Sequence, residues 1–168
     1  AFPINAIEFV LSENKLNLSD VDHVAFAYDR SKNVKQKLMF CLCNPQSSFK
    51  LIKNYFKKSF NGSVAQSEFF ADVLRKDGAK TQFHYVEHHL AHIASARFVA
   101  NFDQSTLGFS VDGSGDFVTS MVLYHDNGKQ QVEKNFVPHS LGHFYSAICQ
   151  FIGFDKFGEE YKVMGLAP

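Results

Sequence analysis

Residues 86–96 read Val-Glu-His-His-Leu-Ala-His-Ile-Ala-Ser-Ala, with no Gly or Pro, and a Gly-punctuated pair of apolar runs follows at 106–111 and 117–125. No other part of the chain restricts its folding so tightly. Small and apolar residues without breakers start a helix at 86–96. The two runs after it alternate and are joined by Gly113-Ser114-Gly115, which makes them a β-hairpin. Asp126-Asn127-Gly128 is the next hairpin turn, leading to a third strand at 130–137.

The same stretch carries chemistry. His88 and His92 are four residues apart, one above the other on a single helix face, so both reach one ion. Asp112 adds a carboxylate at the end of an apolar strand. Two imidazoles and a carboxylate suit a first-row divalent metal with open positions. Gly113, Ser114 and Gly115 form a turn whose backbone N–H groups approach phosphate closely. Taken singly these signals are weak: such His pairs also decorate ordinary helices, and most Gly-Ser-Gly turns simply close a hairpin. Asp116 either meets the ion through water or stabilises the turn. Lys162 is a contact for substrate or phosphate, or else a solvated lysine. His89 faces away from the pair, as a structural residue or a support for the ligands, His84 has no assigned role, and His139 and His143 either touch substrate or pack at a helix start.

Charge and cysteine content exclude several classes. Lys plus Arg and Asp plus Glu are both 17, a formal net charge of zero without the basic stripe of a nucleic-acid binder. Cys41, Cys43 and Cys149 are too few and oddly spaced for a disulfide framework, which implies a reducing compartment. On a strand, Cys41 and Cys43 would be buried thiols sharing one face. No apolar run reaches the ~18 residues of a membrane span and no signal peptide is visible, so the expected location is the cytoplasm.

The remaining elements are read from periodicity. Residues 5–16 are expected to be helical, 24–28 a buried strand, 29–37 an exposed loop, and 38–43 a strand or a helix. Residues 48–60 form a helix with a basic face, 67–75 another helix, 81–86 a strand, 140–151 a helix, and 153–168 a loop. The chain stops on Gly-Leu-Ala-Pro without a capping element, which points to a piece of a longer protein.

Five blocks in order resemble the O-carbamoyltransferase family of the nodulation and antibiotic-tailoring type. They are 86–96, Val-Asp-Gly-Ser-Gly-Asp at 111–116 with Thr119, Pro-His-Ser-Leu-Gly-His-Phe-Tyr at 138–145, Ile-Gly-Phe at 152–154, and Glu-Tyr-Lys-Val-Met-Gly-Leu-Ala-Pro at 160–168. The resemblance implies an α/β fold of the ribonuclease-H-like, actin and sugar-kinase (ASKHA) type. The chain would hold the later part of lobe one with the His helix (1–104) and the start of lobe two with the phosphate-loop hairpin (105–168). It implies that carbamoyl phosphate and ATP give carbamoyl-adenylate in a separate YrdC-like domain, and that a hydroxyl of a small-molecule acceptor then takes the carbamoyl group. His88, His92 and Asp112 would hold the metal, iron(II) in related members, with Mn²⁺ or Zn²⁺ permitted by residue type. Gly113, Ser114, Gly115 and Asp116 would hold the nucleotide phosphate. The catalytic residues, a fourth metal ligand and most acceptor contacts would lie outside this chain, and the isolated piece would be inactive. Acceptors in the family include aminoglycosides, Nod factors and cephalosporin precursors. Two alternatives stay open: the tRNA threonylcarbamoyl-transfer enzyme of the same fold, and an actin-like nucleotide-binding module without transferase activity. Neutral charge argues against nucleic acid as a partner.

Overall fold

The computed structural model describes residues 3–46, 48–49, 80–100, 105–156 and 158–166. The elements are mixed α/β, and the chain divides into two compact units, each discontinuous in sequence. One comprises Ala1–Phe26 and Lys37–Tyr85, the other Ala27–Gln36 and Val86–Pro168. The expected helix at 67–75 lies outside the described residues, as does the one at 48–60 beyond its first two residues.

In the first unit, α1 (Ile4–Glu13) is followed by a single 3₁₀ turn, Leu18–Asp20, and by β1 (His23–Phe26). Asn17 and Asp20 close that turn with a capping box. β1 pairs in parallel with β2 (Gln82–Tyr85), His23 opposite Gln82 and Phe26 opposite Tyr85. The Phe26 ring stacks on Phe83 and Tyr85, at 6.3 and 5.3 Å between centroids. β1 alternates exposed and half-buried positions, where a fully buried strand was expected. Its pairing with β2 is its only ladder among the described residues, and the face carrying His23 and Ala25 is exposed.

The ambiguous run at 38–43 is helical: α2 spans Val34–Cys43. This corrects the reading of Cys41 and Cys43 as buried thiols on one strand face. Two residues apart on a helix, they diverge by about 200°, and Cys41 is half-buried while Cys43 is exposed.

The second unit is built on an antiparallel sheet in the order β3 (Thr106–Gly115), β4 (Val118–Asp126), β5 (Lys129–Phe136). The central strand supplies the core: Val118, Met121 and Leu123 are buried and cluster with Ile93 of α3 (His88–Ala100), with Phe136 packed against them. α3 lies close on β3 because residue 108 is glycine. A Cβ there would stand 2.4 Å from Ile93 Cγ2, so a larger residue would lever the helix off the sheet. The β4–β5 turn is Asn127-Gly128 with positive φ at both residues, the type I′ geometry expected from the sequence. α4 (Leu141–Phe151) starts at Ser140, whose Oγ accepts the His143 N–H. The tail is not all loop: α5 (Glu160–Met164) is a short helix, joined to α4 by Tyr145 Oη and Ser146 Oγ donating to Glu160. Among the described residues no helix is long and apolar enough to cross a membrane.

Candidate metal centre

α3 begins at His88, and the side chain that fixes this start is distant in sequence. Asp116 Oδ2 accepts the His88 N–H at 2.9 Å, placing a negative charge at the helix start and satisfying one of its orphan donors. The same oxygen accepts the Asp29 N–H at 2.8 Å. Asn33 Nδ2 then donates to the Asp116 carbonyl and to Glu87 Oε1, both at 3.0 Å. Residues 29–37 are therefore not simply the exposed loop that their polarity suggested. Asp29 and Asn33 are tied by hydrogen bonds to the turn and to the residue preceding the His helix, and the chain is helical from Val34. Glu87, 7% exposed, also accepts from Lys134 Nζ at 2.7 and 2.8 Å. Burial pushes the Glu87 carboxyl upward, but donation by Asn33 and the Lys134 charge outweigh it and hold it below the usual range.

From this start the helix repeat carries His88 and His92 to one side, where Asp112 meets them. His88 Nε2 is 2.9 Å from Asp112 Oδ2 and 3.1 Å from His92 Nε2, and His92 Nε2 is 3.9 Å from Asp112 Oδ2. Two ligands each ~2.1 Å from one ion stand ~3.0 Å apart at a right angle and ~3.4 Å apart at the tetrahedral angle. Protons satisfy the arrangement poorly. His88 Nε2 carries either a hydrogen for Asp112 or a lone pair for His92, never both, so one contact is always mismatched. A divalent cation suits all three atoms, and this group is the only set of three or more such residues found among the described residues. Donation by His88 holds the Asp112 carboxyl below the usual range, in the ionised form a metal requires.

Asp112 can turn toward α3 because β3 is irregular there. Val111 pairs with Ser120 and Gly115 with Val118, so three residues of β3 oppose the single Thr119. The strand runs on through Gly113-Ser114-Gly115, and the two-residue turn is Asp116-Phe117, with φ of 50° and 75°. The turn thus sits two residues later than expected. The glycines answer a different need. A Cβ on Gly115 would lie 2.0 Å from the His88 ring, and one on Gly113 would lie 3.3 Å from His143 Nε2. Gly142 is pressed against the Asp112–Gly113 peptide, 2.6 Å from where its Cβ would be. Ser140 Oγ donates to the Gly113 carbonyl at 2.8 Å, with that of Asp112 at 3.1 Å.

The fold thus brings His88, His92 and Asp112 together and places Gly113, Ser114 and Gly115 beside them. Asp116 is committed to backbone donors. Lys162 is paired with Glu159 and lies 5.6 Å from the Phe154 ring centroid, with no hydrogen bond or ion pair to the triad among the described residues. His89 points into the core: fully buried, it meets Ser110 Oγ at 2.8 Å and the Val118 carbonyl at 2.9 Å. Burial pushes its imidazole toward the neutral form. His84 pairs with His23 across the parallel strands at 3.0 Å.

Residues 2–168 match the family described as Carbamoyltransferase N-terminus. The chain belongs to that family. Relatives of this carbamoyltransferase N-terminus include the uncharacterized protein sll1178 of Synechocystis sp., 32% identical across all of this chain and 28% of that protein. Nodulation protein NolNO of Sinorhizobium fredii is 31% identical over 99% of this chain and 23% of its own length. Nodulation protein NolO of Bradyrhizobium diazoefficiens is 39% identical over 49% of this chain and 15% of its own. The chain therefore spans less than a third of the length of these relatives. Within this carbamoyltransferase N-terminus, Asp29, Asn33, Glu87 and Lys134 are the supporting residues that sequence reading missed. Only the capping Ser140 carried a local signal, as a Ser ahead of an apolar helical run.

Proposed function

We propose that this chain is the metal-bearing part of an O-carbamoyltransferase that acts on carbamoyl-adenylate and a small-molecule hydroxyl acceptor in the cytoplasm. The observation that carries the reading is the convergence of His88, His92 and Asp112 in a member of a carbamoyltransferase family. These three residues would hold the ion, taken as iron(II) with Mn²⁺ and Zn²⁺ as substitutes, and the ion would supply Lewis acidity toward a phosphate or carbamoyl oxygen. The chain's own residues hold the donors in place: Asp116 sets the start of the His helix, and the Gly115 backbone leaves room for the His88 ring.

In the transfer, the acceptor oxygen bonds to the carbamoyl carbon and the bond from that carbon to the adenylate oxygen breaks. AMP leaves with the electron pair, and the hydroxyl proton passes to water. The phosphate is taken against Gly113, Ser114 and Gly115. Support for this part comes from the resemblance of the 111–116 block alone, since rings account for the glycines. Lys162, Asp116 and the ASKHA architecture, with lobes meeting near residue 104, belong to the same proposal. So does the YrdC-like domain elsewhere in a longer protein, which would make carbamoyl-adenylate from carbamoyl phosphate and ATP.

The test is anaerobic calorimetric titration of the chain and of His92→Ala with Fe²⁺ and with Mn²⁺. One equivalent bound by the chain and lost in the variant is the expected result. Undiminished binding by His92→Ala, or none by the chain, would overturn the metal assignment.

A further inference from the structure

Beside the triad, α3 and β3 border a half-open cavity of about 600 Å³, within the size range of small-molecule sites. Helix and strand run in opposite directions: His92 lies 3.9 Å from Asp112, Ile93 packs on Gly108, and Arg97 bonds His125, the cross-strand partner of Thr106. One end of the cavity is therefore formed by two of the three converging residues, and the other by Arg97 and Thr106. Ile93 and Leu123, on the sheet face that α3 covers, make an apolar wall between them. His92 and Arg97 are separated by about 7.5 Å of helix rise.

The far end holds polar groups with capacity to spare. Arg97 Nη2 donates to His125 Nδ1 at 3.1 Å, and among the described residues no carboxylate pairs with the guanidinium. A guanidinium has five N–H donors, so several are uncommitted and arranged to take an anion. Thr106 Oγ1 is buried and without a hydrogen-bond partner among the described residues.

We infer that this cavity takes the acceptor, and that the acceptor is an anionic hydroxyl compound. Its hydroxyl stands at the His92–Asp112 end, its apolar segment lies on Ile93 and Leu123, and its anionic group meets Arg97 and the Thr106 hydroxyl. A polycationic acceptor would set its ammonium groups against Arg97 and is excluded by charge. The assignment rests on the transferase reading for the identity of the ligand, but the chemistry of the cavity does not depend on the metal.

Ligand-observed NMR titration of the chain with 6-hydroxyhexanoate and with 1-hexanol tests it. The hydroxy acid is expected to bind at least about fivefold more tightly than the alcohol, with Arg97→Gln removing the difference. With Mn²⁺ present, its carbinol protons should relax faster than those beside the carboxylate. Ala96→Phe, at an exposed helix position lining the cavity, should block the hydroxy acid while leaving Mn²⁺ affinity unchanged. Absence of hydroxy-acid binding, equal binding of the two probes, a preference that survives Arg97→Gln, or binding unaffected by Ala96→Phe would each overturn the assignment. If Mn²⁺ does not bind while the Arg97-dependent preference persists, the metal reading fails and the cavity assignment stands.

Discussion

The imidazole of His88 occupies the space that a β-carbon on Gly115 would fill. An ideal Cβ there would lie 2.0 Å from His88 Cδ2 and 2.1 Å from Cγ. Gly115→Ala must therefore push the ring away from Asp112 and His92. Overpacking of this kind costs about 1–3 kcal/mol, and displacing one donor is expected to lower Mn²⁺ affinity at least about tenfold. Gly128→Ala is the control: it strains a turn residue at φ 80° where nothing lies within reach, costing about 1 kcal/mol without altering metal affinity. Urea unfolding and Mn²⁺ titration of both variants check the pair, and unchanged affinity in Gly115→Ala would show that the ring adapts.

The His pair was legible because helix geometry is local. Four residues without a breaker suffice to place His88 and His92 on one side, and Asn127-Gly128 announced its turn for the same reason. What escaped detection depends on partners far along the chain. Asp29 and Asn33 look like loop polars, yet they bind groups 54 to 87 residues away. The shifted hairpin turn escaped for a related reason. Asp116 and Phe117 hold positive φ without being glycine, in a conformation that the surrounding hydrogen bonds maintain, while the glycines serve the rings above them.

Asp116 accepts two backbone N–H groups with one oxygen. Asp116→Ala removes both charge-assisted bonds, and a loss of about 2–3 kcal/mol is expected. Amide hydrogen exchange at Asp29 and His88 should quicken together, more than at Met121 in the core. Exchange that rises equally everywhere would mean the carboxylate serves global stability alone.

Glu87 and Lys134 form a pair of which one member is almost fully buried. Lys134→Met strands the carboxylate and should cost about 3 kcal/mol. Adding Glu87→Gln should recover most of that, because the amide is neutral and still accepts from Asn33. A double-mutant cycle by denaturant unfolding measures the coupling, and additive effects would contradict it.

The chain by itself is expected to bind one metal ion yet transfer no carbamoyl group, since it spans under a third of the length of its relatives. Incubation of the Mn²⁺-loaded chain with carbamoyl-adenylate and a hydroxyl acceptor, followed by assay of the carbamoylated product, checks this. Product formed at a rate that falls on metal removal would show that the residues present suffice.

The chain passes between its two units three times, after Phe26, after Gln36 and after Tyr85. No single cut can therefore separate the two units from each other. A fragment starting at Val86 would carry all three converging donors but would lose the strip 27–36. Asp116 Oδ2 would then have one backbone donor in place of two, and Glu87 would lack its amide partner Asn33. Any shuffling of this unit between proteins, in the laboratory or in evolution, has to move two separate pieces of chain together.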